Sequence, residues 1–170
     1  LESLYNIKII QKHFHKLDET NIKYVNVNPH LCTLRTNGNP YYMFFTLYND
    51  IPIIYFIDKK IHPGYQKPRI ILLRGLFNES LYKNTLIDGE MVKCKDGKWI
   101  FMMNDIIAYE GEFLIKKQLP DRLKILYNLL EYKYTPDSTI DVCSFKIKTY
   151  YELYLESINN LIKIATSELN

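Results

Sequence analysis

The chain has 170 residues, 47% of them hydrophobic and 24% charged, a balance that excludes a disordered protein and allows a sizeable core. Lys and Arg number 22 against 19 Asp and Glu, and the resulting net charge of +3 is too small for charge alone to mark a nucleic-acid binder. Its three cysteines, Cys32, Cys94 and Cys143, form no CxxC pair, and no apolar run is long enough to span a bilayer. These features read as a reduced, cytoplasmic protein without a membrane partner or a signal peptide.

Along the chain, Leu4, Ile7, Ile10 and Phe14 recur at helical spacing, so residues 1–20 are expected to hold an N-terminal helix. His13 and His15 point apart on such a helix and read as surface residues rather than metal ligands. After an irregular stretch to Pro29, the pattern turns to strands over 31–36, 41–48 and 52–58. Asn37-Gly38 and Asn49-Asp50 supply the turns, because these residues tolerate left-handed backbone angles. A loop over 59–68 carries Pro63, Gly64 and Pro68, and 69–73 reads as a further strand. Lys59, Lys60, Lys67, Arg69 and Arg74 cluster here with only Asp58 among them; the group reads equally as a phosphate-binding surface or a solvated basic loop.

Residues 84–94 and 98–109 read as a hairpin around Lys95-Asp96-Gly97. Leu119, Leu123, Leu126 and Leu130 predict a helix to about 132, and a second helix is expected from Thr149 to about Ile164. The order is helix, antiparallel strands, helix, helix: an α+β fold of antiparallel sheets with flanking helices, in a single domain over 1–170. Its β-rich core spans 24–112 and its helical segment 119–170, with no repeat or linker.

The stretch NTLIDGEMVK, Asn84 to Lys93, stands out. In a strand, Leu86, Asp88, Glu90 and Val92 share one face. Two acids on that face need a partner: a metal ion, a ligand hydroxyl or a cation.

RTNG at 35–38, DGE at 88–90 and FMMNDIIAYEGE at 101–112 fall in a suggestive order. Together they resemble motifs I, III and IIIa of the covalent nucleotidyltransferases, the superfamily of mRNA capping guanylyltransferases and ATP-dependent DNA and RNA ligases. YFIDKK resembles that superfamily's "LIDR" strand end, TLIDGEMV its "TLLDGELV", and LPDRLKIL its "RL" helix. The wording is closest to viral-type capping enzymes, over about residues 24–170. Motif IV, motif V and the OB-fold domain are not found in the sequence, which therefore reads as the first two-thirds of such a domain.

The resemblance implies a function. In the family, a motif I lysine attacks the α-phosphate of GTP or ATP and forms a lysyl-nucleoside monophosphate. Acids hold ribose or a Mg²⁺ or Mn²⁺ ion, and the product is passed to the 5′-diphosphate end of RNA. By this alignment Arg35 occupies the nucleophile's position, and Asn37, Gly38, Asp88, Glu90, Asn104 and Asp105 line the nucleotide site, with Glu90 the metal candidate. Lys59, Lys60, Lys67, Arg69 and Arg74 become candidates for RNA or phosphate. Three positions depart from the pattern: Arg35 replaces lysine, Asn37 replaces aspartate, and Asn104 stands where an aromatic is common. A guanidinium keeps its proton and is a poor nucleophile. Two expectations follow: a capping guanylyltransferase domain silenced at Arg35, or a non-catalytic fold serving as an RNA-binding or structural module beside other capping or transcription subunits. An ATP-using ligase relative is a third.

Overall fold

The computed structural model describes residues 15–25, 27 and 29–169. Most of the expected N-terminal helix, residues 1–14, lies outside them, and residues 15–20, at its end, form no helix. The described residues form two compact units, one of residues 37–147 and one of 15–36 with 148–169.

The first unit is built on a seven-stranded sheet. Its strands are β2 (Asn39–Tyr48), β3 (Ile51–Asp58), β4 (Ile70–Leu73), β6 (Thr85–Lys93), β7 (Trp99–Tyr109), β8 (Glu112–Phe113) and β10 (Ser144–Ile147). Across the sheet the order is β10-β7-β6-β2-β3-β4, with β8 paired to β7. All pairs are antiparallel except β10 with β7. Asn49 and Asp50 take φ values of 50° and 61°, so both lie in the left-handed region and close β2 onto β3 in two residues. Gly97, at φ 83°, turns β6 into β7 as the Asp-Gly pair predicts. A second, two-stranded sheet joins β5 (Leu76–Phe77) to β9 (Tyr134–Thr135). Helix α1 (Leu119–Tyr132) buries Leu123, Leu126 and Leu129 at helical spacing.

The core is aromatic on one face. Phe56 packs on Phe101, Phe101 on Phe145, and Phe77 joins Phe45, Tyr134 and Phe145. The opposite face carries a smaller cluster of Phe44, Leu86 and Ala108, with Tyr42, Tyr55 and Ile57 against it. Asp88 and Glu90 of β6 lie on this same face, beside Tyr42 and Pro40 of β2, and both are buried.

In the second unit, β1 (Leu31–Cys32) pairs antiparallel with β11 (Tyr151–Glu152). The Leu153 N–H donates to His30 O at 3.0 Å and the Thr33 hydroxyl to Thr149 O at 2.7 Å. Two expectations change here. The strand expected over 31–36 is two residues long and does not form a hairpin with β2; its partner is β11. The helix expected from Thr149 begins only at Leu155, as α2 (Leu155–Leu169). Thr149, Tyr150 and Tyr151 favour extended backbone, and pairing with β1 overrides the helical spacing of the apolar residues. On α2, Leu161 is buried, while Ile158 and Ile162 are exposed.

Candidate nucleotide site

The site begins on β6. Asp88 and Glu90 are 6% and 8% exposed, between β2 on one side and β7 on the other. In register, Asp88 faces Tyr42 of β2 and Asp105 of β7. Lys59 follows the last residue of β3, and its backbone N–H donates to Pro40 O at 3.0 Å. From there its ammonium group reaches Asp88 Oδ1 and lies 4.3 Å from the centre of the Tyr42 ring. A cation, an aromatic face and a buried carboxylate are thus stacked at one point of the sheet. Burial, and then the charge of Asp88, push the Tyr42 hydroxyl up to about 12.

Asp105 has its own cation. Arg122 of α1 binds it with two parallel bonds, Nε to Oδ1 at 2.8 Å and Nη2 to Oδ2 at 3.0 Å, and the Ile106 N–H adds a third at 2.8 Å. Asp88 and Asp105 can therefore lie opposite each other without uncompensated like charge. The register explains how. Asp88 pairs with Asp105 but Gly89 pairs with Met103, so Asn104 is an extra residue in β7, a bulge beside the acids.

The glycines of the two motifs are needed for close approach. A Cβ on Gly89 would lie 2.5 Å from Phe101 Cζ and 2.7 Å from Met102 O. A Cβ on Gly38 would lie 2.9 Å from Glu90 Oε2, Met91 O and Val92 Cγ2. With glycine there, the Gly38 N–H donates to Glu90 Oε2 at 3.2 Å. Residue 38 and residue 90, far apart in sequence, are brought together by a backbone bond to a carboxylate.

A fourth buried acid, Asp58, organises the basic loop. It is 4% exposed, and accepts from Arg69 Nη2 at 3.3 Å and the Lys60 N–H at 2.9 Å, with His62 Nε2 at 3.0 Å. Burial pushes its pKa up, but these bonds and the charges of His62 and Arg69 outweigh it and hold the carboxyl below the ordinary aspartate range. Arg69 also donates to the Tyr41 hydroxyl. The loop encloses an open cavity of about 670 Å³ lined by His62, Lys67, Arg69 and the residues between Gly64 and Pro68.

The sequence-predicted residues separate as follows. Gly38 and Glu90 meet, Lys59 and Asp88 meet, and Asp105 and Arg69 each hold a partner of opposite charge. Arg35 is exposed and belongs to the second unit, and Asn37 is an exposed residue at the start of the first. Lys60, Lys67 and Arg74 are exposed. Sequence reasoning missed Tyr42, Asp58, His62 and Arg122. Of these, Arg122 carried a signal as the arginine of the "RL" helix, and Asp58 as the aspartate of the "LIDR"-like strand end. Among the described residues no group of three or more His, Cys, Asp or Glu side chains is placed to hold a metal ion.

The model of the family described as mRNA capping enzyme, catalytic domain, matches residues 13–161. The chain belongs to the mRNA capping enzyme catalytic domain family. The match spans every site residue above and reaches into both units, and the α+β fold is consistent with a nucleotidyltransferase domain of this family. Capping-family membership supports a guanylyltransferase-like function. No curated protein matches the chain, and no helix among the described residues is long and apolar enough to cross a membrane.

Proposed function

We propose that the Asp88–Glu90 face is the nucleotide pocket of a viral-type capping guanylyltransferase domain, working on GTP and the 5′-diphosphate end of RNA in the cytoplasm, with its covalent step silenced at Arg35. The observation that carries this reading is the Lys59–Asp88 pair beside Glu90. Two buried acids are held in fixed positions, one by a side-chain cation and one by a backbone N–H, as a preorganised site requires. Glu90 accepts hydrogen bonds and suits ribose hydroxyls. Lys59 suits a phosphate oxygen.

The donor set also bears on the metal. A Mg²⁺ or Mn²⁺ ion bound with a nucleotide takes most ligands from phosphate and water and needs only one or two protein carboxylates. Glu90 fits that limited role, and the ion would offset triphosphate charge.

The test is covalent labelling. The longest form of the protein is incubated with α-labelled GTP or ATP and Mg²⁺ or Mn²⁺, as the Arg35 protein and as Arg35→Lys, then denatured. Label confined to Arg35→Lys with GTP is the expected result. Absence of label from both forms counts against a silenced enzyme, and label from ATP alone points to a ligase relative.

The basic loop favours a second reading, a non-catalytic module that binds RNA within a capping or transcription assembly. Lys67 lines the His62–Arg69 cavity, and Lys60 and Arg74 are exposed before and after this stretch, charges suited to phosphate. Charge reversal at Lys67, Arg69 and Arg74 should then weaken RNA binding strongly at low salt, and unchanged affinity would exclude this reading.

A further inference from the structure

Strand β4, Ile70–Leu73, is an edge of the seven-stranded sheet, and its one partner among the described residues is β3. An apolar edge strand is a ready template for pairing with another chain, and proteins normally cover or blunt it. This one is neither short of apolar surface nor blunted within its length. Ile70, Ile71 and Leu72 are 57%, 41% and 67% exposed, and Leu73 alone is buried.

The register settles which backbone groups face outward. Asp58 N–H donates to Arg69 O at 2.9 Å, which makes Asp58 and Arg69 a hydrogen-bonded pair. In an antiparallel ladder such pairs alternate, so Ile71 with Phe56 and Leu73 with Ile54 are bonded across the ladder. The N–H and C=O groups of Ile70 and Leu72 therefore point away from β3. Their side chains share the face of their partners Ile57 and Tyr55, so exposed apolar side chains and outward backbone groups belong to the same two residues.

The charges decide the occupant. Lys67 and Arg69 precede the strand and Arg74 follows it. If two copies paired antiparallel through the outward groups of β4, Ile70 would face Leu72, and Arg74 would face Pro68 of the other copy, flanked by its Lys67 and Arg69. Like charges gathered at both ends of the pair disfavour that pairing. The same residues attract an extended segment with acids at its ends.

We propose that the outer edge of β4 is a docking site for an extended segment of a different protein, with alternating apolar side chains that cover Ile70 and Leu72 and acidic residues that meet Lys67, Arg69 and Arg74. The binding mode is strand addition, in which backbone bonds supply affinity and alternate side chains supply specificity. It does not depend on the nucleotide pocket.

The probe is a fluorescein-labelled peptide of alternating valine and threonine with two glutamates at each end, titrated with the whole chain at low salt and read by anisotropy. A lysine-ended peptide of the same core is the control. Saturable binding of the glutamate-ended peptide, and weaker binding of the lysine-ended one, are expected. Leu72→Pro removes an outward N–H and leaves the β3 ladder intact, and should weaken binding roughly tenfold or more, the loss of one or two backbone bonds. Leu72→Lys keeps that N–H but should also weaken binding, and serves if the proline variant does not fold by circular dichroism. Arg74→Glu should reverse the preference between the two peptides. Equal binding of both peptides, or binding unchanged in both Leu72 variants, overturns the proposal. So does a homodimer by light scattering that the Leu72 variants convert to monomer, since a second copy would then be the occupant.

Discussion

Lys59 and Asp88 are joined across a strand that lies between them. Lys59 follows β3 and Asp88 sits in β6, with β2 between, and the lysine crosses β2 over the ring of Tyr42 to reach the acid. Removing the ammonium leaves a buried carboxylate that has lost its cation. Lys59→Met should therefore lower stability by about 1–3 kcal/mol, seen as a lower urea midpoint with an unchanged slope. Adding Asp88→Asn to that variant should recover part of the loss. Additive losses in the double-mutant cycle would show that the pair is not coupled.

The glycine of the acidic motif should be intolerant for a packing reason. Gly89→Ala drives a methyl into the Phe101 ring and the Met102 carbonyl, which should cost about 1–3 kcal/mol. Gly38→Ala meets a carboxylate oxygen and a backbone carbonyl. Because Glu90 is the nearest side chain able to move, this variant should lose nucleotide affinity more than stability. A thermal melt and a nucleotide titration on each variant separate the two effects.

Much of this was legible in the sequence, and the parts that were not have definite causes. The β2–β3 and β6–β7 hairpins could be read because Asn49-Asp50 and Asp96-Gly97 set them locally. Strand β11 could not, because two residues carry too little pattern and their partner, Leu31–Cys32, is remote in the chain. The same contrast holds at the site. Asp88 and Glu90 announce themselves as acids in an apolar strand. Their neighbours depend on lateral strand order, so Tyr42 emerges only from the fold, and only the docking of α1 shows that Arg122, the arginine of the "RL" helix, pairs with Asp105.

Arg122 is held to Asp105 by geometry as well as charge. Arg122→Lys keeps the charge but cannot make both bonds, and should cost about 1 kcal/mol or more, while Arg122→Ala should cost about 2–4 kcal/mol by leaving Asp105 with its cation removed. Chemical denaturation of the two variants provides the comparison. Equal losses would mean that the paired geometry contributes nothing beyond charge.

The basic loop should loosen in acid. The carboxyl of Asp58 is depressed in the folded state, by the Lys60 N–H and by His62 and Arg69 against the opposing effect of burial. The unfolded chain then takes up its proton first as pH falls, so the contribution is complete above the unfolded value of about 3.9 and is lost as pH drops through the folded value. Asp58→Asn should remove this part of the acid transition and expose the loop at Lys60 and Lys67 to trypsin at neutral pH. An acid limb identical in the variant and the parent protein would contradict the assignment.

The most direct test of the central claim is equilibrium binding, because it does not depend on the residue at position 35. The protein is titrated with GTP and with ATP in Mg²⁺ by calorimetry, alongside Asp88→Asn and Glu90→Gln variants shown to be folded. The account predicts saturable binding of GTP in preference to ATP, lost or weakened at least tenfold in both variants, consistent with the removal of a charged hydrogen-bond acceptor. Absence of GTP binding, or GTP binding unaffected by either substitution, would contradict a guanine-nucleotide pocket built on Asp88 and Glu90.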